Sequence, residues 1–247
     1  MSLTPAEFHY LSHPITANGI DLLKYTLQDL CIKEVIKVEA RHITIDSRLN
    51  RKRVRYFFCR DKAFQAYSTS KNHELFILSL LEKTDEFRFY VLRQHVKKEF
   101  KKRGLEPFKS DYVLKDLAEQ DFTMLKYFPN RAGMSASKKV KSLLKRIETA
   151  IDITADANEL ENLLEKVGSN VVFLDAKYQD RLKAINSSVK NIENLKFLEI
   201  IQNQFQHFDR FLVGSAFIGG GGLSSFSGGY GGFGGGSFGG GGAVGGW

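Results

Sequence analysis

The sequence predicts an α+β protein, mainly helical, with two small winged-helix-like units, short β-hairpins, a C-terminal helical region and a disordered glycine-rich tail. Three observations carry that prediction. Apolar residues recur at helical spacing along most of the body. Two runs rich in β-branched and aromatic residues flank one short basic turn. Of the 22 glycines, 17 stand at or after Gly219. The 247 residues therefore divide into 1–70 and 71–151 as the two winged-helix-like units, 152–218 as a helical region and 219–247 as the tail.

The elements follow in order. In "LTPAEFHYL", Thr4 is placed to cap a helix, Pro5 suits its first turn and Glu7 completes a capping box. Pro14 ends that helix. "NGIDLLKYTLQDLCIKE" repeats Ile20, Leu23, Leu27, Leu30 and Cys31 at helical spacing. "VIKVEARHITID" and "VRYFFC" read as strands, and "SRLNRKR" between them as a basic wing. "HELFILSLLEK" predicts a helix, "FRFYV" a strand, and "LRQHVKKEFKKRG" a helix closed by Gly104.

A second unit is then predicted from a repeat. Tyr25, Leu27, Asp29 and Leu30 recur as Tyr112, Leu114, Asp116 and Leu117. Its wing would be "FPNRAGMSAS" and its closing helix "KKVKSLLKRIETAI". Beyond it come the amphipathic "ANELENLLEKVG", an apolar link "NVVFLD" and the helical "AKYQDRLKAI". A long stripe at 189, 192, 195, 198, 201, 205, 208 and 212 predicts a helix docked on the protein's own body.

Charge and chemistry narrow the function. Lys and Arg number 36 against 28 Asp and Glu, a formal +8, and the last charged residue is Arg210. Such a body suits nucleic acid, acidic protein or anionic lipid. The densest patch is Arg48, Arg51, Lys52, Arg53 and Arg55 on the wing, where guanidinium forks match phosphate or carboxylate oxygens. For DNA, the candidate recognition helix would offer Lys24, Thr26, Gln28 and Lys33, beside Asp21, Asp29 and Glu34.

Cys31 and Cys59 read as free thiols in a reducing, cytoplasmic setting. The opening residues do not have the pattern of a secretory leader, and no stretch is apolar enough to span a membrane.

No catalytic constellation emerges. His9 and His13 have ligand spacing, but Pro14 interrupts their helix. Cys31 sits on an apolar face, and the glycine run lacks the following helix and lysine of a phosphate loop. The expectation is no enzyme, no metal and no cofactor. The tail instead presents Phe226, Tyr230, Phe233, Phe238 and Trp247 as aromatic contacts on a flexible chain.

"LTPAEFHYL", followed by "LLKYTLQDLCIKEVIKV", is similar to the start of the cytoplasmic region of a family of predicted bacterial membrane proteins. "GGGSFGGGGAVGGW" resembles their Trp-terminated tails, and those of many TPM-domain proteins. The resemblance implies tandem winged-helix-like units and an envelope-associated protein partner, with no known reaction. This chain departs from that family in having no transmembrane segment. The expected function is a non-catalytic interaction or adaptor protein. The alternative is a DNA-binding regulator using the basic wing.

Overall fold

The computed structural model describes residues 3–46, 51–103, 108–124, 128–153, 157–184 and 196–206. The chain is α+β: helices dominate, and the strands form two small antiparallel sheets. The predicted capping box forms at Thr4 and Glu7 and starts α1, Pro5–Ser12. Asn18 accepts the Ile20 and Asp21 amides at the start of α2, Gly19–Ile32.

α2 is the hub. Leu22, Leu23, Leu27, Leu30 and Ile32 are fully buried, and so are the polar Thr26, Gln28 and Asp29. α1, the first strand and several later helical segments pack against it. Residues 26–32 are buried throughout, whereas Asp21, Lys24 and Tyr25 in the first half stay part-exposed, and this takes most of the residues expected to read a groove off the surface. Thr26 and Gln28 are inside, and Lys33 is held by three side chains described below.

Glu34, at φ 59°, turns the chain out of α2 into β1, Ile36–Asp46. β1 pairs antiparallel with β2, Arg51–Arg60, from Ile36 opposite Arg60 to Asp46 opposite Arg51, with an irregularity between Thr44 and Asp46. After α3, Asn72–Lys83, the short β3, Glu86–Arg88, pairs with β2 only at Phe57, Phe58 and Cys59. The strand expected over "FRFYV" therefore ends early. Phe89, Leu92 and Val96 are buried at helical spacing and draw the chain into α4, Phe89–Arg103.

A π-helical turn, Lys109–Val113, leads into α5, Leu114–Glu119. β4, Thr123–Met124, and β5, Phe128–Pro129, make a two-stranded sheet. The second wing expected over "FPNRAGMSAS" is not a wing. Asn130 caps the Gly133 amide, and α6 already begins at Arg131 and runs to Asp152. A Cβ on Gly133 would lie 2.3 Å from the Phe122 carbonyl oxygen, so glycine is what lets α6 start against the backbone just before β4.

α7, Ala157–Val167, a 3-10 turn, Gly168–Phe173, and α8, Ala176–Ala184, follow. α9, Lys196–Gln206, buries Leu198, Ile201 and Phe205, with Phe205 edge-on to Phe89 at 5.2 Å. The described part of the predicted stripe thus docks on the body. Positions 189, 192, 195, 208 and 212, Gly104 and the tail lie outside the described residues. Buried apolar side chains from Leu3 to Phe205 join one continuous cluster. Cys31 and Cys59 are buried free thiols, and no described helix is long and apolar enough to cross a membrane.

Candidate functional site

Two places carry polar chemistry. The first is the β1–β2 hairpin. Because β3 covers β2 only from Phe57 to Cys59, the outer half, His42–Asp46 with Arg51–Tyr56, is a ribbon of two strands. At its base the charges cancel. Arg41 binds Glu39 and Glu86 and lies 4.6 Å from the centre of the Phe57 ring, while Lys37 pairs with Glu39. Hydrogen bonds from Lys37 and Arg41 hold the Glu39 carboxyl at about 2.

Toward the tip the balance changes. Between His42 and Arg55 the chain has one acid, Asp46, and five bases, Arg48, Arg51, Lys52, Arg53 and Arg55. The register sets Arg55 opposite Arg41, Arg53 opposite Ile43, Lys52 opposite Thr44 and Arg51 opposite Asp46. Arg48 lies outside the described residues, as do Phe226, Tyr230, Phe233, Phe238 and Trp247. Val54, on the ribbon, is 41% exposed.

The second place is a buried polar network around the start of α3, built from the two aspartates of the sequence repeat. The residue at the start of α3, Lys71, supplies no side-chain cap. Asp116, from α5, does so instead: it accepts the backbone amides of Asn72 at 2.8 Å and His73 at 3.1 Å, and the Asn72 side-chain amide. His73 Nδ1 also meets Asp116 Oδ2. Burial would raise the Asp116 carboxyl, but the bonds from His73 and Asn72 outweigh it and hold it low.

The other ring nitrogen, Nε2, lies 3.1 Å from the Thr4 hydroxyl, within hydrogen-bonding distance. Acid, imidazole and hydroxyl in that order form a relay able to activate a nucleophile. Here Thr4 Oγ1 already accepts the Glu7 amide as the α1 cap, and Thr4 is buried. The relay fastens the start of the chain to α3 and α5. Glu7 extends it, binding Lys71 Nζ and the Gln120 side-chain amide.

Asp29, from α2, anchors the other half. Lys33 Nζ donates to Asp29 Oδ2 at 2.8 Å, Glu74 Oε1 at 2.8 Å and Tyr67 Oη at 3.2 Å, and Tyr67 donates to Glu74 Oε2 at 2.8 Å. Burial pushes the Asp29 carboxyl up to about 6 despite Lys33. Burial acts on Glu74 in the same direction, but Lys33 wins there and holds it at about 2. Lys33 and Glu74 are thus the standing ion pair, and Asp29 is the member that takes a proton first. Asp29 Oδ1 is buried and meets no donor in hydrogen-bonding geometry, although the Ser169 side chain lies alongside. These groups line a cavity of about 360 Å³.

The sequence places Lys33 and Asp29 on the candidate recognition helix and points to neither Tyr67 and Glu74 nor the His73 relay. The usable signal is the repeated Leu-x-Asp-Leu, which brings Asp116 into correspondence with Asp29. The His9 and His13 rings lie tilted against each other with centroids 5.1 Å apart, and burial lowers His9 to about 4. Among the described residues no cluster of His, Cys, Asp and Glu could hold a metal. Compared with models of protein families, with curated proteins and with solved structures, the chain matches none.

Proposed function

We propose that the protein is a non-catalytic interaction module that grips an acidic partner protein with its basic two-stranded ribbon, the wing of a winged-helix-like unit. The observation that supports this reading is the contrast along the hairpin. Its base is neutralised by Glu39 and Glu86, whereas its outer half leaves the sheet and concentrates basic residues. A two-stranded ribbon is marginally stable in water by itself, so one that projects with a dense charge is better explained by a partner than by folding. The aromatic tail residues Phe226, Tyr230, Phe233, Phe238 and Trp247 add a second, apolar contact in this reading. The free thiols suit a reducing cytoplasm, and the family resemblance favours a partner at the envelope.

DNA is the second reading, because a two-stranded ribbon fits the major groove and arginine suits phosphate. With Thr26 and Gln28 of α2 buried, it rests mainly on the ribbon.

Fluorescence anisotropy of labelled duplex DNA with the full chain at several salt concentrations, alongside affinity capture from lysate, separates the two. The proposal expects no duplex binding at moderate salt. It also expects a captured protein that is lost when Arg51, Lys52 and Arg53 become Ala. Duplex binding with a steep salt slope removed by the same substitutions makes the chain a DNA regulator. Indifference of both assays to the substitutions overturns both readings.

A further inference from the structure

We propose that the outer face of α6 binds an anionic lipid surface. This rests on the helix and not on the ribbon, and it stands whether or not the ribbon holds a protein.

The face is carried by a helix that the core fixes in place. Ser137, Val140, Leu144, Ile147 and Ile151 are buried, which turns the opposite side of α6 to solvent. Arg131, Lys138, Lys139, Lys141, Lys145 and Arg146 are all exposed there. From Arg131 to Ile147 the chain has no acid. Arg131, Lys138 and Lys145 recur every two turns, and Lys139 and Arg146 do the same beside them. Ser135, Ser142 and Thr149, also exposed, lie between the two rows. At 1.5 Å per residue the stripe is about 22 Å long.

Folding does not account for this charge. Among the described residues none of the six side chains has an ion pair, in contrast to Lys33, Arg41 and Lys71. The first turn of α6 has no acid, and Arg131 there opposes the helix dipole. Lys141 and Lys145 stand four residues apart, a repulsive spacing on a helix. An anionic surface laid along the stripe would relieve both costs.

Apolar side chains in the same face tell lipid from other polyanions. Met134, beside the cations, is 47% exposed, and Ile153, at the end of α6, is 69% exposed. Ile153 borders a cleft of about 320 Å³ with Ser142, Lys145, Arg146 and Thr149, and Glu159 of α7 is the only acid lining it. Hydroxyls, an ammonium and a guanidinium are the donors that a phosphate headgroup accepts. Met124 on β4 and Phe128 on β5, opposite each other, are exposed just ahead of the helix. A lipid interface takes both kinds of side chain, its phosphates the cations and its acyl boundary the apolar ones. A nucleic-acid backbone would satisfy the cations and leave the apolar ones in water. Because the inward side of α6 stays in the core, the helix rests on the headgroups, and salt should weaken the contact.

The test is co-sedimentation of the full chain with phosphatidylcholine vesicles, with and without phosphatidylglycerol, at low and high salt. The chain should bind the anionic vesicles, leave the neutral ones and release in high salt. Lys138→Gln, Lys141→Gln and Lys145→Gln together should weaken binding about hundredfold, at about fivefold per cation. Glutamine is a good helix former, so an unchanged thermal midpoint should show that this variant is folded. Replacing Arg51, Lys52 and Arg53 by Ala should cost far less, which separates this face from the ribbon. Met134→Gln with Ile153→Gln should weaken vesicle binding about tenfold. Absence of binding to anionic vesicles at low salt overturns the proposal, as does undiminished binding in the folded triple variant. Vesicle binding indifferent to Met134 and Ile153, with a labelled oligonucleotide released by the triple variant, makes the face a nucleic-acid surface and overturns the lipid assignment.

Discussion

Asp29 and Asp116 stand at the same place in two Leu-x-Asp-Leu segments, yet the protein uses them differently. Asp116 is surrounded by donors, two of them backbone amides that α3 would otherwise leave unmet. Asp116→Ala removes those acceptors and strands His73 in the interior. The expected loss is about 1–3 kcal/mol for each buried donor left without its acceptor, read from urea unfolding at neutral pH. Asp29 has one firm donor, Lys33, and one bare oxygen. Gly133 shows the opposite sensitivity, to added volume. Alanine normally stabilises a helix interior relative to glycine by about 1 kcal/mol. Here the new methyl would meet the Phe122 carbonyl at 2.3 Å. Gly133→Ala should therefore destabilise, by about 1–3 kcal/mol, seen as a lower thermal midpoint.

Among elements, α2 and α3 are joined by Lys33, which reaches from one to Glu74 on the other, and that joint should titrate. Glu74 is held at about 2, below its ordinary value of 4.5. Its contribution is present above about pH 4.5 and is lost as pH falls toward 2. Asp29 is raised from 3.8 to about 6, so the folded state holds a proton that the unfolded chain has released. Its effect is to reduce stability as pH rises from about 4 to 6. In Asp29→Asn that decline should vanish while the acid-side loss from Glu74 remains. Urea midpoints of the two proteins across pH 2–7 check this.

The start of α1 and the existence of two strands were legible in short windows, because caps and β-branched runs act on neighbouring residues, but β2 begins at Arg51, three residues inside the stretch expected to turn. The end of β3 was not legible. Phe89 fits a strand by propensity, and only its burial against Phe58 and Phe205 makes it the first residue of α4.

At the scale of the whole molecule, one apolar cluster runs from Leu3 to Phe205, and the ribbon projects from it. Residues before α1 help to close the core through Leu3, whose carbonyl accepts from Asn170 at 2.7 Å. The two ends of the chain should therefore differ in what they contribute. A chain ending at Ile218 keeps every residue of the described core and should unfold within about 0.5 kcal/mol of the full protein. A chain starting at Ala6 loses Leu3 and the Thr4 cap and should melt well below it. Thermal unfolding followed by circular dichroism compares the three.

By itself the sequence determined the α+β class, the capping box at Thr4 and Glu7, the presence of two strands with basic residues between and within them, and the docking face of α9. Each depends on residue types within a turn or two of one another, where propensity and periodicity act. Only the tertiary structure decided that Thr26, Gln28 and Asp29 of α2 are buried, that the second expected wing is the start of a helix, and that Asp29, Lys33, His73, Glu74 and Asp116 meet. Those outcomes depend on which distant segments exclude water from a side chain. Dozens of intervening residues leave no periodic trace of that in the sequence.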